Sequence, residues 1–548
     1  MSSPAPAIEP ADQTIPPATS SVRGRWKIGA GIFVIACVAQ SILWSRTWED
    51  PTNFKMSVLF VWPAALFSLL IWWTFFSGWS SRVRYRSVAV GFAGVVAFFT
   101  LFRLERFDGD MTPTRLSFRW TTSADQKART FIQQAAAETR IAADDERLQT
   151  EPLEATDDDW TGYRGVHRDG IVAGIKLKDD WKKQPPKLIW KHPVGQAWSS
   201  FAVIGDYAFT QEQRDNNEAV VAYQLSSGKQ LWEHLDKARF PASDAQGGTG
   251  PRATPQFHNG NLYTLGATGI LNCLDARTGK RVWMTDILAD AGSANKPAPN
   301  LGWGMAGSPL IVDQMVIVNP GGINDHSVVA YDNQTGKKIW AGGKHPATYA
   351  SPSVAKLCGE KILLMPVGTG LAAYSLSDGK ELWFFPWSNG PQVCGAMPVV
   401  VDQNSVLFGI GYGIGTVRLK VTRTDDKWSV AQQWHSNRFR PKFNDFVLND
   451  GHAYGLDDGT LTCLNIDSGK VVWKSGRYGY GQVLLVDTTL VILSEEGNVF
   501  QIPAEPTKPA EVEGIPLLDG GITWNQPVLL HGKLLVRNAH EAACFSLE

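Results

Sequence analysis

AYQLSSGKQLW at Ala222–Trp232, CLDARTGKRVW at Cys273–Trp283, AYDNQTGKKIW at Ala330–Trp340, AYSLSDGKELW at Ala373–Trp383 and CLNIDSGKVVW at Cys463–Trp473 are copies of one template. Each has a small residue, an aromatic or Leu, a short variable run, Gly-Lys, two further positions and Trp. A sixth copy, VTRTDDKWSVAQQW at Val421–Trp434, keeps the outline with an expanded turn. Successive template Trp residues lie 51, 57, 43, 51 and 39 residues apart, which suits a unit of four short strands.

Alternating residues up to the turn are a strand, Ser/Thr/Asp-Gly supplies a residue at positive φ, and Lys-x-apolar-Trp starts the return strand. The Trp fills the widening gap between twisted neighbouring sheets while its N–H finds an acceptor at the edge. Upstream of four templates a small residue and Pro open a second strand pair, as in ATPQFHNG, GSPLIVDQ, ASPSVAKL and AMPVVVDQ. Pro at the first position of a strand costs no ladder hydrogen bond. No helix signal separates the units.

The ends give the count. LLVDTTLVILSEEGNVFQIP is a degenerate unit without its Trp, and WNQPVLLHGKLLVRNAHEAACFSLE supplies three strands. The missing outer strand is PKLIWKHPVG, around Trp190. Pairing both ends in one sheet abolishes the exposed edge. Trp190, Trp232, Trp283, Trp340, Trp383, Trp434 and Trp473 plus the degenerate unit predict an all-β, eight-bladed β-propeller over residues 157–548, or seven blades if that unit merges with a neighbour.

The formal net charge of −1 argues against nucleic acid or anionic lipid as the main partner. Six cysteines in 548 residues are no disulfide scaffold, and no CxxC occurs. Cys273, Cys463 and Cys544 occupy the template's small-residue slot, whereas Cys358 and Cys394 fall in consecutive units where a disulfide is open.

Residues 1–22 read as a disordered lead-in and 23–104 as a membrane anchor. Apolar runs at 28–45, 56–76 and 87–102 are the expected transmembrane helices. Arg23, Arg25 and Lys27, with Arg82, Arg84 and Arg86, place the N-terminus and the SRVRYR loop in the cytoplasm. Three crossings then put the propeller on the periplasmic, exported side of the inner membrane. A cleaved signal peptide, or lipidation at Cys37, are the alternatives. The linker 105–156 contains an Ala-rich, charged stretch at 122–148, a helix that either spaces the propeller from the membrane or packs on its side.

These repeats resemble the PQQ-type propeller repeats shared by quinoprotein alcohol dehydrogenases and the outer-membrane assembly lipoprotein BamB. WTGYRGVHRDGIV (Trp160–Val172), GPRATP (Gly250–Pro255) and LGWGMAGSPLIVDQMVIVNPGG (Leu301–Gly322) are similar to motifs of the bacterial PQQ-binding-like β-propeller repeat proteins. The resemblance implies the fold, but its members include both redox enzymes and non-catalytic scaffolds. The enzymes need cationic groups for a quinone tricarboxylate, oxygen ligands for Ca²⁺ and a carboxylate to take the substrate proton. Their vicinal Cys-Cys is absent here, and about 390 residues of propeller leave little room for the enzymes' long insertions.

Candidates for such a site lie where the chain enters the inner strands. Arg252, Trp303, Lys442, Trp524 and Asn525 are the cofactor-binding set, with Tyr349 and Tyr480 nearby in type. Asn444 and Asp445 are the metal pair, and Asp445 is the catalytic base if the chain is a dehydrogenase. The same residues also suit plain strand-end caps around a watered channel. The expectation is a membrane-anchored binding scaffold of the cell envelope, engaging a protein partner or a small ligand at the channel mouth. A PQQ- and Ca-dependent quinoprotein dehydrogenase acting on an alcohol or sugar is the alternative, and a carbohydrate sensor a third.

Overall fold

The structure, a computed structural model, describes residues 22–45, 51–107, 113–142, 153–178, 180–242, 247–293, 301–322, 325–519 and 521–548. Eight sheets follow one another around a ring, each running from an inner to an outer strand. Blades 1 to 6 occupy 202–236, 256–286, 310–342, 353–386, 399–436 and 447–477, each a four-stranded antiparallel meander. Blade 7 spans 482–516 and is the degenerate unit. Blade 8 joins Val528–Leu530, Lys533–Arg537 and Glu541–Ser546 to the N-terminal strand Lys187–Pro193. Cys544 sits directly opposite Trp190 in that sheet, so the ring is closed by the two chain ends.

The template's small slot has a simple cause. Ala222, Cys273, Ala330, Ala373, Cys463 and Cys544 are the cross-strand partners of Trp232, Trp283, Trp340, Trp383, Trp473 and Trp190. A β-bulge follows each pair and turns the indole toward the next blade. There the rings of Trp190, Trp232, Trp283 and Trp340, like that of Trp434, lie on the turn glycine of that blade. A Cβ on Gly228 would meet the Trp190 ring at 2.7 Å, and each such glycine is at positive φ. The Nε1 of Trp190 donates to Leu225 O at 2.7 Å, that of Trp232 to Ala276 O at 3.1 Å and that of Trp340 to Leu376 O at 3.0 Å.

Trp383 is the exception. Blade 5 replaces the Gly turn with Asp425-Asp426 between two ten-residue strands, so no turn carbonyl comes within reach and Trp383 Nε1 is buried without an acceptor. In the same blade Arg418 takes the small slot opposite Trp434. All six cysteines are free, so no disulfide joins Cys358 and Cys394.

The N-terminal helices form a compact unit of their own. They are α1 (Val22–Ser45), α2 (Pro51–Ile71), which widens into a π-helical turn at Trp72–Phe76, and α3 (Ser81–Leu101). Among the described residues two helices, not the expected three, are long and apolar enough to cross a membrane, Trp26–Trp44 and Ser81–Leu101. The middle apolar stretch, described over Phe60–Phe76, belongs to α2, carries Pro63 and ends in the wide turn. The third run gains length because its helix begins at Ser81, within the arginine loop.

A fourth helix, α4 (Ala124–Ala142), opens with a reciprocal capping box between Ser123 and Gln126. It packs against the side of the propeller, on Lys187–Pro193 and Gln230–Asp236. Phe131 stacks on His192 at 4.4 Å, and His192 on Trp190 at 4.8 Å. α4 therefore bridges the outer strands of blades 8 and 1. The expected extension of this helix to 148 and the lead-in 1–21 lie outside the described residues.

Candidate functional site: a plugged channel

Residues 160–172, WTGYRGVHRDGIV, run across the ring. Trp160 exchanges backbone hydrogen bonds with Val203 of blade 1, and Thr161 O accepts from Phe257 of blade 2. Arg168 donates to Ser308 O (3.0 Å) and Pro309 O (3.1 Å) at the inner edge of blade 3. Arg164 donates to Phe446 O and Tyr163 to Asp445 Oδ2 (2.8 Å) in blade 6. Ile171–Val172 pairs in parallel with Gln482–Val486 of blade 7. Blades 3 and 7 stand on opposite sides of an eight-membered ring, so the segment bridges the central channel and plugs it.

The plug is held under local strain. Arg164 and Arg168 both adopt positive φ, which costs about 1–3 kcal/mol each and persists only where surroundings over-determine it. Their buried guanidinium contacts supply that determination. Gly170 is also at positive φ, and a Cβ there would stand 2.7 Å from the Arg164 guanidinium. Burial pushes Arg168 down to about 10. Burial first, then the Asp445 charge, hold the Tyr163 phenol far above its usual range, which keeps it a donor.

Above the plug the residues just before each inner strand form a circumferential belt. Ser200 N donates to Thr254 Oγ1 (3.1 Å), Thr254 N to Ser308 Oγ (2.9 Å) and Ser308 N to Ser351 Oγ (2.9 Å). In the same manner Met397 N donates to Asp445 Oδ1 at 2.6 Å. Gln482 Nε2 donates to Phe443 O and Trp524 O, each at 2.9 Å, and Ser200 Oγ closes the circle on Gln526 O at 2.5 Å. Each bond ties one blade to the next at the axis.

Belt and plug line a half-open cavity of about 170 Å³. Its walls are Trp198, Trp303, Tyr349, Phe443 and Trp524, with Tyr163 from the plug. Trp198 and Trp524 lie 4.5 Å apart at 32°, Trp303 and Tyr349 5.0 Å apart at 44°, and Trp303 meets Phe443 edge-on at 88°. The rings make a box, not a parallel slot. Arg252 enters the box, its Nη1 and Nη2 held by Gly250 O (2.8 Å) and Gly248 O (3.0 Å). No carboxylate pairs with it among the described residues, and burial pushes it down to about 10. Among the described residues the lining contains no Asp, Glu, His or Cys.

The sequence candidates thus divide. Arg252, Trp303, Tyr349 and Trp524 line the cavity together. Lys442 does not: its Nζ is 3.2 Å from the Tyr480 hydroxyl and lies over the rings of Tyr412 and Tyr480, at 4.9 and 4.5 Å. Asn525 Nδ2 donates to Ser199 O at 2.8 Å and serves the belt. Asn444 is buried with neither amide atom hydrogen-bonded. Asp445 is buried, occupies the belt slot that Thr254, Ser308 and Ser351 fill elsewhere, and is held by Tyr163, Met397 N and, at 3.4 Å, Arg164. Sequence reading missed Tyr163, Trp198, Gln482 and Gln526. Trp198 and Gln526 each sit within two residues of a belt position, a signal that was available.

A family model described as outer membrane protein assembly factor BamB matches residues 216–475. The propeller is built of PQQ-like repeats. Over 300 residues the chain is 21% identical to the outer membrane protein assembly factor BamB of Moranella endobia, covering 51% of this chain and 68% of that protein. Over 250 residues it is 28% identical to the quinohemoprotein alcohol dehydrogenase ADH-IIG of Pseudomonas putida, covering 41% of this chain and 32% of that protein, so about a third of the dehydrogenase is matched. The crystal structure of BamB from Moraxella catarrhalis superposes with a TM-score of 0.46 and 14% identity, over 66% of this chain and 97% of that one.

The described residues at this cavity do not make a calcium site. A calcium site needs several oxygen ligands, carboxylates foremost. Among the described residues the cavity walls carry no carboxylate, each Asp445 oxygen accepts a hydrogen bond from a protein donor, and no cluster of three or more His, Cys, Asp or Glu suited to a metal occurs.

Proposed function

We propose that this chain is a membrane-anchored binding module of the cell envelope, whose propeller engages a protein partner on its faces and a small ligand in the plugged cavity, without oxidising it. One observation carries the reading: an aromatic cavity whose lining, among the described residues, has a guanidinium but no group able to take a proton from an alcohol near neutral pH. The similarity to proteins named as outer membrane assembly factors supports an envelope location and a protein partner. Attachment through Trp26–Trp44 and Ser81–Leu101 belongs to the same reading, as does an exported propeller, which requires the middle helix to cross as well.

The test uses the purified full chain in detergent, titrated with PQQ and Ca²⁺ and assayed for dye-coupled oxidation of alcohols and aldoses. The reading expects no turnover and no calcium-dependent cofactor binding. Turnover that Asp445→Asn abolishes would overturn it in favour of the dehydrogenase.

A further inference from the structure

The cavity has a pattern of unmet hydrogen bonds that specifies what it takes. Gln482 and Gln526 both line it, and both are nearly fully buried, with Oε1 lacking any donor. The orientation of Gln482 is not arbitrary, because its Nε2 already serves two carbonyls. Beside these two acceptors stand the hydroxyls of Thr254, Ser308 and Ser351, each of which accepts a belt N–H and donates to no protein group among the described residues. A buried polar group left without a partner costs stability that a ligand can restore. A ligand that relieves this pattern must donate to the glutamine oxygens and accept from the hydroxyls at once, which is what a polyhydroxylated ring does.

Two more features narrow the class. The tilts of 32°, 44° and 88° between wall rings offer no parallel faces to sandwich a flat polycycle, but suit the C–H edges of a puckered ring. Arg252 brings one positive charge without a carboxylate partner. We propose that the plugged cavity binds an anionic sugar, a hexuronate either free or at the end of a saccharide chain, with its carboxylate on Arg252, its hydroxyls on Gln482, Gln526 and the belt hydroxyls, and its ring among Trp198, Trp303 and Trp524. This rests on the binding-module reading above and names its ligand.

The full chain, purified in a detergent without a sugar headgroup, is titrated with glucuronate, galacturonate, glucose, glucuronate methyl ester and a trisaccharide ending in glucuronate. Heat and tryptophan fluorescence are followed. The expected result is saturable binding of a uronate below about 10 mM, weakened on the order of tenfold or more by esterification and by Arg252→Met. Arg252→Lys keeps the charge and recovers part of the loss, which separates charge pairing from misfolding. Binding of the trisaccharide as well as the monosaccharide marks the chain end as the source, and binding of the monosaccharide alone marks the free sugar. Absence of uronate binding, or equal affinity for glucose and the ester, overturns the proposal while leaving the non-catalytic reading standing. PQQ turnover would overturn that reading instead.

Discussion

The six ordinary template tryptophans and Trp383 differ in one bond, and that difference sets up a comparison with few free terms. Trp232 is buried, with its ring on Gly279 and its Nε1 bonded to Ala276 O at 3.1 Å. Trp383 is equally buried, but its Nε1 has no acceptor. Trp→Phe removes the donor and part of the ring at either site. The cavity cost is similar at both, about 1–2 kcal/mol for the lost ring atoms. At Trp232 the substitution also strands a buried carbonyl, adding about 1–3 kcal/mol. At Trp383 it removes a polar group that burial already penalises, which offsets part of the cavity cost. Trp232→Phe should therefore be the more destabilising by roughly 2 kcal/mol, about thirtyfold in the unfolding equilibrium. Proteolysis pulses on the full chain across a urea series give both free energies. If Trp383→Phe costs as much as Trp232→Phe, the indole N–H bonds are not what distinguishes the blades.

Further outcomes follow from the plug, a buried acid and the proposed topology. Gly170→Ala, at positive φ and facing Arg164, should loosen the plug, read as faster tryptic cleavage after Arg164 and Arg168 with blade signals in circular dichroism unchanged; an unaltered cleavage rate would speak against the strain. Burial, the largest cause, pushes the Glu218 carboxyl up to about 7, so the folded chain holds that proton more tightly than the unfolded one. The contribution of Glu218 to stability is then fullest below the ordinary carboxylate range, falls by about 3 kcal/mol as pH rises toward about 7, and is level above it. Glu218→Gln should flatten that slope in urea midpoints taken between pH 4 and 8, and an unchanged slope would remove Glu218 as its source. In intact spheroplasts an exported propeller should be cut by added protease while the SRVRYR loop is protected; the reverse pattern contradicts the proposed topology.

The architecture was legible because its cause is local and repeated. A small residue opposite Trp, a bulge and a turn glycine under the previous indole need only eleven residues, and the chain repeats them. Closure was legible for a related reason: an unpaired outer strand with Trp190 and a three-stranded tail each lack what the other has. The site was less so. Asp445 in PKFNDF reads as chemistry by residue type, yet its position relative to the inner strand is the one held by Thr254, Ser308 and Ser351, and the belt consumes it. Lys442 is taken up by tyrosine rings whose approach depends on blades 5, 6 and 7 meeting at the axis. Tyr163 and the plug arginines act on blades far along the chain, and nothing in a thirteen-residue motif says which blades those are. Among the N-terminal helices, hydropathy favoured the middle run, where the helix Pro51–Ile71 carries Pro63 and passes into a π-helical turn.

An experimental structure of the full chain determined with excess Ca²⁺ and PQQ tests the central claim most directly. The account predicts Asp445 still bound by Tyr163, Met397 N and Arg164, with no ion beside it and no quinone between the wall rings. A calcium ion ligated by Asp445 and Asn444 under an ordered PQQ would contradict it.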